Sequence, residues 1–165
     1  PIWFEPIASR NTPMCKALKK TYSILENWIK TFPNSFPPIV INITDGEATD
    51  GDPLEPAEKI KQLKNNDGNV LLFNIHLSSI DTNPIEFPDN ENILPDRFSK
   101  LLFKMSSILP QYMRLEAKNA GYKVSDGTRG FVFNANMEAL VKFLNIGTRT
   151  SYSITPYSEK KIKPY

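Results

Sequence analysis

Two apolar runs too short to be helices constrain this chain more than any other feature. Residues 39–43 read Ile-Val-Ile-Asn-Ile and follow two prolines, and residues 70–75 read Val-Leu-Leu-Phe-Asn-Ile. Runs of this length, rich in β-branched residues and bounded by turn formers, are strands buried on both faces. Around them the apolar period lengthens to three and four. Met14, Leu18, Thr21, Leu25 and Trp28 share one helical stripe with Ala17 and Ile29 beside it, and Pro13 suits a first helical position. Ala57, Ile60 and Leu63 predict a second helix from about 54 to 64, stopped by Asn65-Asn66-Asp67-Gly68. Phe98, Leu101, Leu102, Met105 and Leu109 predict a third, halted by Pro110, and a short helix from Tyr112 to Ala120 closes at Gly121. Gly130 to Phe133 is a third strand. Asn134 or Asn136 then caps a last helix that carries Met137, Leu140, Val141 and Leu144 on one face.

The order α-β-α-β-α-α-β-α predicts an α/β fold, a mainly parallel sheet covered by helices on both faces. Three strands leave sheet edges without partners, so further strands, or a partner in their place, are expected on the N-terminal side. One domain over residues 1–150 is expected, with 1–10 (Trp3 included) an extended entry segment, 78–94 a long loop and 151–165 a flexible tail. The formal net charge is only +2, and the densest basic cluster, Lys160-Lys161-Ile162-Lys163, lies in that tail. This argues against a nucleic-acid partner. No apolar run reaches the length of a membrane span, so no membrane partner is expected either. The single cysteine, Cys15, excludes an intrachain disulfide and reads as helix packing, which suits a cytoplasmic, reducing compartment.

The chemistry concentrates where the first strand ends. Thr44-Asp45-Gly46-Glu47-Ala48-Thr49-Asp50-Gly51-Asp52 follows it directly. In an open α/β sheet, ligands bind beyond the carboxyl ends of the strands, and Asp45 belongs to that edge. Thr12 precedes a helix whose positive end favours an arriving anion. Each residue also has a plainer role: Asp45-Gly46 as a tight turn, Thr12 as a helix cap. The EF-hand spacing fails, because the sixth residue from Asp45 is Asp50 and the twelfth is Pro56. Asp52 reads as a helix-start residue, and the remaining acids as a solvated rim. Ser78 and Ser79 lack a G-x-S-x-G context, Ser106-Ser107 reads as a helix-surface feature, and no phosphate-binding glycine loop is present. Trp28 reads as a core or interface aromatic.

Ile43-Thr44-Asp45-Gly46 after a buried strand, with Asn11-Thr12-Pro13-Met14 and a helix upstream, resembles a von Willebrand factor A (VWA) domain of the intracellular bacterial type. The resemblance covers residues 2–147 in outline. It implies a three-layer α-β-α, Rossmann-like fold and a metal-ion-dependent adhesion site. That site joins a D-x-S-x-S motif on a first strand, a Thr before a later helix, and the Asp of a T-D-G turn. Thr12 and Asp45 match the last two as metal ligands. The chain has no D-x-S-x-S, so it resembles the later part of such a domain, with the N-terminal strands missing. The implied cofactor is Mg²⁺, with Mn²⁺ or Ca²⁺ as alternatives, and two protein ligands alone bind it weakly. The implied function is protein interaction rather than catalysis: a partner's acidic side chain completes the metal shell, with Glu47, Asn11 and His76 on the rim. The missing N-terminal segment is itself a candidate partner. A metal-dependent hydrolase or phosphatase using Asp45 and His76 is the competing reading, though such a site needs three or more ligands. A scaffold with no working metal site is the third.

Overall fold

The computed structural model describes residues 11–78 and 82–148. The entry segment with Trp3, Ser79 and the tail 151–165 lie outside the described residues. The elements are α1 (Met14–Thr31), β1 (Ile39–Thr44), α2 (Leu54–Gln62), β2 (Leu71–His76), β3 (Ile85–Glu86), α3 (Arg97–Met105), α4 (Gln111–Asn119), β4 (Phe131–Phe133) and α5 (Met137–Gly147). The fold is mixed α/β, built on one open four-stranded sheet in the order β1-β2-β4-β3. β1, β2 and β4 run parallel, and β3 is antiparallel to β4.

The period-two alternation of the strands divides the core between the two faces. Leu72, Phe131 and Phe133 point to one face, where they meet Met14, Leu18 and Leu25 of α1, Ala57 and Ile60 of α2, and Leu102, Phe103 and Met105 of α3. Phe73, Ile75 and Val132 point to the other, against Met113 and Ala117 of α4 and Ala139, Phe143 and Ile146 of α5. β2, paired on both edges by β1 and β4, is buried on both faces because helices pack against each side of the sheet there. Its Phe73 ring is wedged against backbone. A Cβ built on Gly130 would lie 2.1 Å from the ring, and one on Gly147 would lie 3.3 Å from it. Gly130 is therefore required by close approach.

Three expectations are corrected. β3 lies inside the stretch expected to be a long loop, pairing Ile85 with Phe133 and Glu86 with Val132. It therefore covers the outer side of β4. The third helix stops at Met105, four residues before the expected Leu109, and Ser106 is already extended. Ser106-Ser107 is not a helix-surface feature but a buried polar joint. Ser107 N donates to Leu72 O at 2.7 Å, and its Oγ accepts from Leu72 N at 2.9 Å. Ser106 Oγ donates to Leu102 O and accepts from Asn74 Nδ2 at 2.9 Å. Asn74, fully buried in β2, also accepts from Asn42 Nδ2 at 2.8 Å across the β1–β2 pair. These bonds satisfy polar groups that burial would otherwise leave costly.

β1 is an edge strand among the described strands. Leu71 N and Leu77 N donate to the carbonyls of Pro38 and Thr44. The two-residue repeat of a parallel ladder then turns the backbone groups of Val40 and Asn42 toward β2 and those of Ile39, Ile41 and Ile43 outward. No described strand pairs with that outer side. The expectation of a buried strand over 39–43 is corrected here: at the edge of the sheet the strand is only half-buried, and Ile43 is 51% exposed. No described helix is long and apolar enough to cross a membrane.

Candidate functional site

The acidic turn is fastened to the start of α1. α1 begins with Pro13, which has no side-chain cap of its own, so its first-turn N–H groups need partners from elsewhere. Met14 N donates to Thr12 O at 2.8 Å and Ala17 N to Pro13 O at 3.0 Å. Cys15 N and Lys16 N donate to the two Asp50 carboxylate oxygens, at 2.9 and 2.8 Å. Asp50 is therefore the cap of α1, supplied from the turn after β1. The role expected of the Thr12 side chain passes to it, and Asp50 is not simply part of a solvated rim. One residue earlier, Thr49 N donates to Thr12 O at 3.0 Å, and Thr12 N donates to Thr49 Oγ1 at 2.9 Å. Asp52 Oδ1 accepts from Leu54 N at 2.9 Å and so starts α2, as its position before Pro53 predicts.

The electrostatics follow from these bonds. Partial desolvation pushes the Asp50 carboxyl up, but the N–H bonds from Cys15 and Lys16 outweigh it and hold the group below its ordinary value. Cys15 is buried and its thiol is pushed up, first by burial and then by the Asp50 hydrogen bond and charge. A thiol held protonated is packing and not a nucleophile.

Asp45 follows directly on the groove that Thr12 lines. Thr12 and Thr44 line one groove of about 250 Å³, which runs between α1 and β1 past Met14, Ala17, Val40 and Ile41. Asp45, next along from Thr44, is exposed, as are Glu47 and Asn11. The Thr12 side chain makes no hydrogen bond to another described residue, and its backbone is bound to the turn that Asp45 opens. Asp45 carboxylate and Thr12 hydroxyl are hard oxygen donors, right in kind for Mg²⁺ and too few to hold it by themselves. Among the described residues, no three His, Cys, Asp or Glu side chains gather closely enough to hold a metal ion.

His76 departs from its expected place on the rim. It is the last residue of β2 and is 3% exposed, because β4 and the Asp45 turn close over it. Its Nε2 lies 2.7 Å from the Asp45 carbonyl oxygen. Its ring lies on Phe133, with centroids 5.1 Å apart. Gly46, at φ +98°, lies against the Nε2 edge of the ring, where an added Cβ would come within 2.8 Å of Nε2. Neither this contact nor the bonds of Thr49 and Asp50 to α1 can be read from local sequence, because each joins residues more than thirty positions apart.

Comparison with known proteins produced no match: no family model fits the chain, and no curated protein or solved structure resembles it significantly.

Proposed function

We propose that this chain is the later part of a VWA-like protein-interaction module. Its docking point is the exposed Asp45 with Thr12 beside it. One observation carries the reading: the acidic turn at the carboxyl end of a parallel strand is bonded, through Thr49 and Asp50, to the start of α1. On this reading the strand-end carboxylate and the pre-helix hydroxyl share one corner.

The same bonds sharpen the chemistry. A partner's acidic side chain meets Asp45, Glu47, Asp50 and Asp52 around this corner, which repel it. The first-turn N–H groups of α1 could have attracted it, but all are already bonded. A divalent cation is what would reverse the sign of the site. Asp45 and Thr12 would hold Mg²⁺, and the ion would supply the positive charge that draws in the partner's carboxylate. On this reading a further strand bearing the D-x-S-x-S ligands lies along the outer side of β1, whose backbone groups point that way. Hydrolysis using Asp45 and His76 gains no support, since His76 Nε2 is committed to a backbone carbonyl.

Thermal melting with millimolar Mg²⁺, Mn²⁺ or chelator tests the proposal. A ligand that binds only the folded state at a hundred times its Kd adds about 2.7 kcal/mol. Wild type should melt higher with metal, and Asp45→Ala should not respond. An identical metal response in both proteins removes Asp45 from the site. No response in either leaves the scaffold reading.

A further inference from the structure

We infer that His76 is the positioning residue of this corner: it clamps the Asp45–Gly46 peptide and so sets the direction in which the Asp45 carboxylate leaves the sheet. The inference rests on the docking reading for its purpose, but the clamp itself rests on geometry alone. A backbone carbonyl can only accept a hydrogen bond, so the 2.7 Å contact with Asp45 O requires the proton on Nε2. The ring is then the Nε2–H tautomer. That leaves Nδ1 buried and without a partner among the described residues. Burying an unpaired acceptor is unfavourable, and the position is held because the rest of the ring is fixed. Phe133 packs against the ring, the Gly46 backbone crowds its Nε2 edge, and the chain here is tied on both sides of β2. Ala135 N donates to His76 O at 3.1 Å, and Leu77 N donates to Thr44 O at 2.8 Å.

Gly46 is the reciprocal half of the clamp. Its amide donates to Thr44 Oγ1 at 3.1 Å, and its φ of +98° is a conformation L side chains rarely adopt. The Asp45 carbonyl is thus turned inward to His76 and the Asp45 side chain outward to solvent. Loosening the ring frees the peptide to rotate and spreads the carboxylate over many directions, which weakens any ligand that needs it in one.

His76 is the only histidine, so its ring resonances are unambiguous. Nitrogen-15 NMR of the wild type should show the Nε2–H tautomer; the Nδ1–H tautomer would overturn the inference without any variant. Amide exchange at Gly46 is the second readout, in wild type, His76→Leu and His76→Gln. Losing one hydrogen bond should speed Gly46 exchange about fivefold to tenfold in His76→Leu, with the Phe73 amide unchanged. Gln places an amide N–H near the old Nε2 and should restore most of the protection. Unchanged Gly46 exchange in a folded His76→Leu refutes the clamp. Mn²⁺ broadening of the Asp45 signals separates the two ideas. If wild-type Asp45 ignores Mn²⁺ while the exchange pattern holds, the docking reading fails and the clamp stands. If Mn²⁺ broadens Asp45 equally in wild type and in His76→Leu, the clamp does not direct the carboxylate.

Discussion

Asp50 does at the scale of one residue what the whole turn does at the scale of the site: it joins two distant parts of the chain. Because its folded pKa lies below the ordinary value of about 3.9, its stabilising contribution is complete above that value. The contribution disappears as pH falls through the lower, folded pKa. Asp50→Ala should therefore lower Tm at neutral pH, and the gap to wild type should close as pH falls below about 4. Melting at pH 7, 5 and 3 checks this; a gap independent of pH would mean that the carboxylate charge is not what caps α1. Gly130 fails differently. Its Cβ would meet the Phe73 ring at 2.1 Å, so Gly130→Ala should destabilise by about 3 kcal/mol, with Phe73→Leu recovering part of the loss in a double-mutant cycle. At this scale the sequence was legible where chemistry is local. Thr44-Asp45-Gly46 announced a turn after a strand, and Asp52 before Pro53 announced a helix start. It was opaque where the partner is remote, as at Asp50, His76 and Ser106.

At the scale of elements, period and length carried the reading. The α1 stripe, the burial of β2 on both faces and an asparagine cap for α5, narrowed only to Asn134 or Asn136, were readable, because each is dictated by neighbours in sequence. β3 was not, since two residues, Ile85 and Glu86, have no period to read. Nor was the early end of α3. Leu109 continues the helical spacing of Phe98 to Met105, but the bonds of Ser106 and Ser107 to β2 draw the chain out of the helix first. β1 makes a prediction of its own. Val40, Asn42 and Thr44 face β2, while the N–H groups of Ile39, Ile41 and Ile43 face outward. Amide exchange along β1 should alternate, slow at 40, 42 and 44 and fast at 39, 41 and 43. Uniform protection would show that the outer edge is already paired.

The molecule as a whole has two cores sharing one sheet, and the expected class of fold emerged because helix and strand patterns alternate along the chain. Strand order was not legible, since it depends on β3 pairing back onto β4. The shared sheet implies that neither face melts alone. Phe143→Ala, made in the core against α4 and α5, should cost about 3–5 kcal/mol. It should lower the denaturation midpoint equally for amides of Leu72, on the opposite face, and of Val132. Separate midpoints would mean two independent halves. The seam between those faces also limits how this protein can change over generations. Phe73 fills the space that Gly130 and Gly147 leave open, so Gly130 cannot gain a side chain while the ring stays, and a Cβ at Gly147 needs the ring to give by a few tenths of an ångström. A lineage could leave this arrangement only by shrinking Phe73 first and crossing a less stable intermediate. The three positions are therefore inherited as one character, though they are scattered over more than seventy residues of chain.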